Sequence, residues 1–286
     1  MTETKELLVD LREDGVLWLT FNRPDSLNSL SATLLALLAA ELTRAQTDAD
    51  VRVVVLTGAG RGFSSGGNVR RQVARREEMA AAVIAEGPRA PLPDLFERNV
   101  AGLTNGHMAV PYVLHTIGKP TIAAVNGPAA GAGFSIALAC DLRIASDRAR
   151  FVTAFRNVGL SGDYGGSYFL TRLVGDSKAR ELYFSGDAVD AGEALRLGLV
   201  NRVVPHEHLE AETLAYARRL ADGPVGAYAR MKRNFIVAAK GDLALSLKEE
   251  ALNMTISSLS AEAREAAKAF VEKRRPRFLG ITAPDA

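Results

Sequence analysis

The chain has 286 residues, enough for one large domain or for one domain with an appendage. Lys and Arg total 35 against 33 Asp and Glu, and a formal net charge of +2 provides no basic field for binding nucleic acid. The one cysteine, Cys140, excludes an internal disulfide and lies in an apolar run, so we expect a small core residue in a reducing compartment.

The polar N-terminus, residues 1–13, has none of the apolar stretch of a secretory signal, and no apolar run has the length of a membrane span. We therefore expect a soluble, cytoplasmic protein that does not bind a membrane. The four histidines lack the spacing of a metal site, so we also expect no metal.

Strands and helices alternate in the first part of the chain. A strand is predicted over Val16–Phe21, and Ser31 is a typical N-cap for a helix over 32–46. The β-branched run Val51–Thr57 is typical of a buried parallel strand. Between 70 and 118 the pattern weakens, and we expect two helices with an irregular stretch between them, covering a pocket.

The middle of the chain continues the alternation. A strand over Thr121–Val125 is followed by a helix over Gly131–Cys140, which is apolar on almost every side and is therefore expected to be buried. Asp141–Ala145 is the next predicted strand. The remaining predictions before Pro205 are helices over 167–173, 178–184 and 191–197 and a strand over 200–204.

Only helical patterns follow Pro205, which places a domain boundary there. We expect a core over residues 1–205 and a helical oligomerisation region over 206–286. The four predicted helices of that region are His208–Leu220, Val225–Ala238, Leu243–Ser257 and Ala261–Lys273.

Two glycine-rich segments, 58–68 and 126–133, each follow a predicted buried strand. Both place small residues where a main chain must approach something closely. Two such loops can direct two backbone N–H groups at one oxygen, which is the layout of an oxyanion hole. A dinucleotide loop is the weaker interpretation of 58–62, because Phe63 stands where the G-x-G-x-x-G spacing requires glycine.

The second glycine-rich segment, Asp163 and the basic segment near the C-terminus each also have a purely structural interpretation. Gly131 and Gly133 begin an apolar helix whose N-terminus suits an anionic oxygen, but close packing of a helix on a strand also requires small residues. Asp163 lies in a glycine-rich loop before a helix, where aspartate is often an N-cap. The basic segment 274–277 is either a solvated terminus or a phosphate contact.

In their order along the chain, these motifs resemble the crotonase superfamily, the enoyl-CoA hydratase/isomerase family. The resemblance implies an α/β fold, a spiral of ββα units with a C-terminal helical trimerisation region. It also implies an acyl-coenzyme A thioester as substrate, no separate cofactor, and a homotrimer or homohexamer. The resemblance to this family rests on the two glycine-rich loops and on four further motifs. These motifs are Val16-x-x-Leu19-x-x-Asn22-Arg23-Pro24, Lys119-Pro120-x-Ile122-Ala123-Ala124-Val125-Asn126-Gly127, Gly192-x-Ala194-x-x-x-Gly198-Leu199-Val200-x-x-Val203 and Phe270-x-x-Lys273-Arg274-x-Pro276-x-Phe278.

The resemblance also implies roles for individual residues. The backbone N–H groups of Ser65 and Ala132 would form the oxyanion hole. The positions matching Phe270 and Lys273 reach coenzyme A in the family, often from a neighbouring subunit. The positions expected to contact the acyl group or coenzyme A are Arg23, Ser64, Gly66, Gly67, Asn68, Gly131, Gly133, Ser135, Phe155, Tyr164, Phe270 and Lys273.

The chain departs from the hydratase pattern at both catalytic carboxylates. Ser135 and Phe155 stand where hydratases carry glutamate, and these two side chains cannot activate water and protonate carbon. Asp163 occupies a third family position, which holds aspartate in dienoyl-CoA isomerases and in ring-opening isomerases of phenylacetate degradation. The resemblance thus favours a catalytic Asp163, and one carboxylate is enough for a 1,3-proton shift.

The sequence therefore predicts an enoyl-CoA double-bond isomerase that uses Asp163. A hydratase or a C–C bond hydrolase is the alternative within enzymes. A non-catalytic acyl-CoA-binding protein is the alternative of another class. We expect an apolar pocket to raise the pKa of Asp163 and improve it as a base.

Overall fold

The computed structural model describes residues 5–67, 77 and 92–280. In this part of the chain the strands form two sheets, and they are numbered here in chain order. They are β1 (Leu7–Leu11), β2 (Val16–Phe21), β3 (Val53–Gly58), β4 (Thr121–Val125), β5 (Pro128–Ala130), β6 (Leu142–Ser146), β7 (Arg150–Val152), β8 (Val189–Asp190) and β9 (Arg202–Val204).

The helices of the described residues surround these sheets and extend beyond them at the C-terminal end. They are α1 (Ala32–Thr47), α2 (Leu92–His107), α3 (Val113–Thr116), α4 (Ala132–Ala139), α5 (Gly166–Val174), α6 (Asp176–Ser185), α7 (Ala191–Arg196), α8 (Leu209–Ala221), α9 (Val225–Ala238), α10 (Leu243–Ser258) and α11 (Ala261–Val271). A π-helical turn, Met108–Tyr112, joins α2 to α3.

The larger sheet has the strand order β1-β2-β3-β4-β6-β9, and the smaller one has the order β5-β7-β8. Strand β1 pairs antiparallel with β2, and the other neighbours in the larger sheet are parallel. The chain passes from the larger sheet to the smaller one and then into a helix, first as β4-β5-α4 and then as β6-β7-α5. This repeated path is the spiral of ββα units that the resemblance implied, and the predicted fold class is confirmed.

The central parallel strands β2, β3 and β4 of the large sheet are buried on both faces, which explains why their sequences are almost uniformly apolar. Helices α1 and α4 cover one face, and every residue of α4 is buried, as its apolar sequence predicted. Helix α8 covers the other face through Leu209, Ala217 and Ala221. The predicted boundary at 205 stays a prediction, and α8, which follows it, packs on the core sheet.

Most predicted elements are present with small shifts at their ends, and Ser31 caps α1 by accepting the N–H of Leu34 at 2.9 Å. Strands β1, β5, β7 and β8 were not predicted. Strand β1 is an edge strand whose last four side chains are exposed, and the other three have only two or three residues, too few for a visible alternation. The predictions over 70–91 lie outside the described residues, apart from residue 77.

Two features expected from the sequence, the burial of Cys140 and the character of the helices, can be compared with the structure. Cys140 is buried in the core, and burial raises the pKa of its thiol to about 12, as suits an inert packing residue. Among the helices of the described residues, none combines the length and apolar character needed to cross a membrane.

Candidate active site

Two buried asparagines hold the first glycine-rich loop in shape. The side-chain amide of Asn28 donates to carbonyl oxygens of Ala59 and Gly62 at 2.9 and 2.8 Å. The amide of Asn126 donates to the carbonyls of Gly58 and Gly60 at 2.8 and 2.9 Å. Breaking these hydrogen bonds would leave buried polar groups without partners, which costs free energy. The hydrogen bonds therefore hold the loop in one conformation.

The two glycine-rich loops lie directly against each other. The N–H of Ser64 donates to the carbonyl of Pro128 at 3.2 Å, and the N–H of Ala130 donates to the carbonyl of Ser64 at 2.8 Å. A Cβ placed on Gly133 would lie 2.6 Å from the Cβ of Ser64, and one placed on Gly66 would lie 2.5 Å from the carbonyl oxygen of Ala130. The small residues are therefore required for this contact.

Gly66→Ala is expected to damage the protein, whereas Gly62→Ala is expected to be mild. Gly66 has φ +81° and no room for a Cβ, but the nearest atom to a Cβ on Gly62 would be 3.5 Å away. The left-handed backbone alone costs an alanine roughly 1–2 kcal/mol, and the clash with Ala130 adds to that. Thermal unfolding of the two variants measures the difference, and equal unfolding temperatures would contradict the close contact.

The predicted oxyanion donor of the first loop needs a correction. The N–H of Ser65 donates to the carbonyl of Leu27 at 2.8 Å, so it is already engaged and Ser65 does not fit the assigned role. The N–H of Gly66 donates to the hydroxyl of Ser64 at 3.2 Å. The N–H of Gly67 has no acceptor among the residues that the structure describes, which makes Gly67 the candidate donor of this loop.

The candidate donor of the second loop is the one that the sequence predicted. Ala132 is the first residue of α4, and within the described chain its N–H has no acceptor. A Cβ on Gly66 would lie 3.2 Å from this nitrogen, so the first loop reaches the helix N-terminus. The aligned N–H groups and the helix dipole favour a negative charge at this point.

Asp163 does not cap the helix that follows it. The N-cap of α5 is Gly165, which makes no side-chain cap hydrogen bond, and the contact of Asp163 with this helix is through its backbone carbonyl, which accepts the N–H of Gly166 at 3.1 Å. The side-chain atom Oδ1 is buried and has no hydrogen-bond partner within the described residues. Burial raises the pKa of Asp163 to about 6, which suits a base that must also return its proton.

Tyr183 lies beside Asp163, although nothing in the sequence marked it apart from its place in a helical pattern. A Cβ on Gly162 would lie 3.3 Å from the Tyr183 hydroxyl. Burial, together with the negative charge of Asp163, raises the pKa of Tyr183 to about 12. Tyr164 is affected by burial and by Asp163 in the same way. Both phenols therefore stay protonated, and both belong to the surroundings of the carboxylate.

Ser135 and Phe155 lie close to glycines at the starts of α4 and α5, with Phe155 near Gly131 and Ser135 near Gly166. The Ser135 hydroxyl donates to the carbonyl of Gly131 at 3.3 Å and faces Gly166. Phe155 is buried and stacks on Tyr183, with ring centroids 6.0 Å apart and planes 13° apart. A hydroxyl and a phenyl ring thus replace two carboxylates, and neither acts as a base at neutral pH.

The remaining predicted contact residues are scattered. The guanidinium of Arg23 donates to the carbonyl of Ser29 at 2.5 Å and pairs with Glu6 at 3.3 Å. Phe270 is 85% exposed near the end of α11, and Lys273 is also exposed. Asn68 lies outside the described residues. No cluster of His, Cys, Asp and Glu in the described part of the chain has the composition of a metal site.

Comparison with known proteins decides the family. A family model described as enoyl-CoA hydratase/isomerase matches residues 12–92 and 102–280. The chain belongs to the enoyl-CoA hydratase/isomerase family. It is therefore an enzyme of a family that acts on acyl-CoA substrates.

Relatives in this family carry both isomerase and hydratase names. The chain is 36% identical to 1,2-epoxyphenylacetyl-CoA isomerase of Escherichia coli strain K12, covering 96% of this chain and 99% of that protein. It is 32% identical to trans-2-decenoyl-[acyl-carrier-protein] isomerase of Streptococcus mutans, covering 96% and 98%. The crystal structure of an enoyl-CoA hydratase from Polaromonas sp. JS666 superposes with a TM-score of 0.82 at 33% identity, covering 95% and 98%.

Proposed function

We propose that this family member is an enoyl-CoA isomerase that moves a double bond by proton transfer through Asp163. The observation that carries the proposal is the state of that carboxyl group, whose Oδ1 is buried with no hydrogen-bond partner in the described part of the chain and whose pKa is raised to about 6. Ser135 and Phe155 support it, because they leave the two hydratase positions without carboxylates. The isomerase names of two relatives agree with it.

The reaction on a 3-enoyl-CoA has two steps. The Asp163 carboxylate takes a proton from C2, the electrons of the broken C–H bond form a double bond between C1 and C2, and the carbonyl electrons move onto the thioester oxygen, giving a dienolate. The protonated Asp163 then returns the proton to C4, and the double bond lies between C2 and C3. One proton leaves and one returns, so no oxidant, metal or cofactor is needed, and we propose that none is used.

The dienolate oxygen is the negative charge that must be stabilised between the two steps. We assign this task to the N–H groups of Gly67 and Ala132, one from each of the two touching loops, which have no acceptor within the described residues. Such donors lie fixed before the reaction and stabilise charge only as it develops, which lowers the barrier rather than tightening substrate binding.

The pH dependence of kcat/KM is expected to follow Asp163. Below its pKa of about 6 the carboxyl is protonated and cannot take the proton from C2, so the rate constant should fall as the solution becomes more acidic. Assays of the purified enzyme across the acid and neutral range measure the midpoint. A profile that stays flat well below pH 5 would exclude a base with this pKa.

A substrate panel tests the proposal directly. Purified protein is incubated with 2-enoyl- and 3-enoyl-CoA thioesters of several chain lengths, and the isomers and hydrated products are separated by chromatography. The expected result is interconversion of the isomers with little hydration. Efficient hydration of crotonyl-CoA would establish the hydratase alternative, and binding of the thioesters without any turnover would establish a non-catalytic acyl-CoA-binding protein.

A second candidate reaction is the isomerisation of a ring-bearing epoxide thioester. Its support is the 36% identity to a 1,2-epoxyphenylacetyl-CoA isomerase, together with the rings of Tyr164 and Tyr183 near Asp163 and the ring of Phe155 stacked on Tyr183. An aryl or epoxide-bearing CoA thioester belongs in the same panel. Conversion of this substrate at rates well above those of linear 3-enoyl-CoAs would favour the second candidate.

We also propose that helices α9–α11 form the interface of a homotrimer or homohexamer. They leave large apolar side chains in water, which a closed symmetric assembly would bury. These side chains include Phe235, Leu243, Met254 and Phe270, with Leu259 directly after α10.

Replacing two of these side chains with charges is expected to dissociate the assembly. Phe235→Glu with Met254→Glu would place carboxylates in the apolar contact, at a cost of several kcal/mol for each unpaired buried charge. Sedimentation velocity measures the mass, and Leu195→Glu, at an exposed position of α7, is the control. An unchanged oligomer in the double variant would place the interface elsewhere.

A further inference from the structure

His107 meets the loop that carries Asp163 at the residue directly after it. The backbone N–H of Tyr164 donates to Nε2 of His107 at 3.2 Å. The two rings pack edge to face, with centroids 4.9 Å apart and planes at 68°. A Cβ on Gly106 would lie 3.3 Å from the Tyr164 hydroxyl, so the last turn of α2 lies close along this side chain.

The peptide group between Asp163 and Tyr164 is held at both ends. Its N–H belongs to Tyr164 and is bound by His107, and its carbonyl belongs to Asp163 and accepts the N–H of Gly166 at 3.1 Å. Because a peptide group is planar, holding both of its polar atoms limits rotation of the backbone about the preceding Cα, which carries the side chain. The two hydrogen bonds therefore restrain the backbone from which the Asp163 carboxylate projects.

This arrangement works against the backbone preference of Tyr164. Tyr164 has φ +52°, a left-handed conformation that costs a bulky residue about 1–2 kcal/mol. A residue with this backbone relaxes unless its surroundings hold it. The hydrogen bond to His107 is one specific contact that holds it, and the packing of the buried Tyr164 ring on His107 is a second.

The role requires a particular form of the imidazole. Nε2 accepts a hydrogen bond only when it is unprotonated, so the ring must be neutral with its proton on Nδ1. Burial lowers the pKa of His107 and favours this neutral form. His107 is followed directly by the π-helical turn Met108–Tyr112, and such turns are frequent at functional sites.

We propose that His107 is a positioning residue of the active site, which aims the Asp163 carboxylate by holding the backbone N–H of Tyr164. Its kinetic consequence rests on the proposed function of Asp163 as the base. Its geometric basis, the hydrogen bond to Nε2, does not depend on the reaction.

The kinetic test compares two substitutions of His107. His107→Phe keeps a ring against Tyr164 but removes the acceptor, and kcat for the isomerase should fall about tenfold or more while KM changes less than about twofold. The acid limb of kcat/KM should also move down by about half a pH unit or more, because a loosened carboxylate is better hydrated. His107→Gln places an amide oxygen near the position of Nε2 and should restore most of kcat.

The control is His208→Phe, on an exposed histidine outside the site, which should behave as the unmodified protein. The proposal is overturned if His107→Phe matches this control, or if His107→Gln is as impaired as His107→Phe. A purely structural role would lower the amount of folded enzyme but leave the pH midpoint in place.

A second measurement separates this proposal from the proposed function. Long-range ¹⁵N–¹H correlation spectra of protein labelled at histidine report the tautomer of each ring, without any substrate. The expected result at neutral pH is the Nδ1–H tautomer for His107, assigned by its loss in His107→Gln. An Nε2–H tautomer or a charged ring would overturn the proposal, even in an active enzyme. The expected tautomer in a protein that isomerises nothing would leave the His107 contact intact and refute the role of Asp163 as the base.

Discussion

Asp163→Asn should reduce kcat for isomerisation of a 3-enoyl-CoA by at least about a hundredfold, the usual scale for loss of an acid–base group. Asparagine has almost the same shape as aspartate but cannot accept the proton from C2. The variant should still bind the thioester, because neither oxyanion donor is altered. Steady-state kinetics of the purified variant measure both parameters.

The stability of the same variant distinguishes chemistry from folding. The buried Asp163 carboxylate has a raised pKa, so its ionised form is disfavoured in the folded protein, and an uncharged amide should leave the unfolding temperature at neutral pH unchanged or higher. Asp187→Asn, on an exposed aspartate, is the control for loss of one negative charge. Near-normal turnover by Asp163→Asn would move the base to another residue.

Ala132→Pro should lower kcat by roughly 100- to 1,000-fold, because it removes one of the two proposed oxyanion donors. Ala132 is the first residue of α4, and proline is well tolerated at that position of a helix. The substitution therefore deletes an N–H group with less damage to the helix than proline would cause at a later position. Enzyme kinetics and circular dichroism on the same preparation test this expectation.

Ala132→Gly is the matched control, since it changes the side chain and keeps the N–H. It should retain most of the activity, because the donor belongs to the backbone. A folded Ala132→Pro enzyme with more than about a tenth of normal kcat would mean that the N–H of Ala132 does not face the developing charge.

The sequence alone determined the parts of the fold that local patterns encode. The β-branched sequence of β3 and the apolar sequence of α4 indicate burial on both sides, and this inference does not require knowledge of their neighbours in space. The cap at Ser31 depends on a residue only three positions away. The family and the unusual residues Ser135, Phe155 and Asp163 were also visible, because they follow from residue types at fixed positions within motifs.

The tertiary structure decided which backbone groups and side chains are free to act. Ser65 and Gly67 are two residues apart in one loop, and the sequence does not distinguish their N–H groups. In the folded chain the N–H of Ser65 donates to the carbonyl of Leu27, a residue distant in sequence. The roles of Tyr183 and His107 depend in the same way on contacts with a loop that is remote in sequence. Packing between distant segments decides which hydrogen-bond partners a group has and how deeply it is buried. Hydrophobic periodicity within one segment predicts its secondary structure but not these contacts.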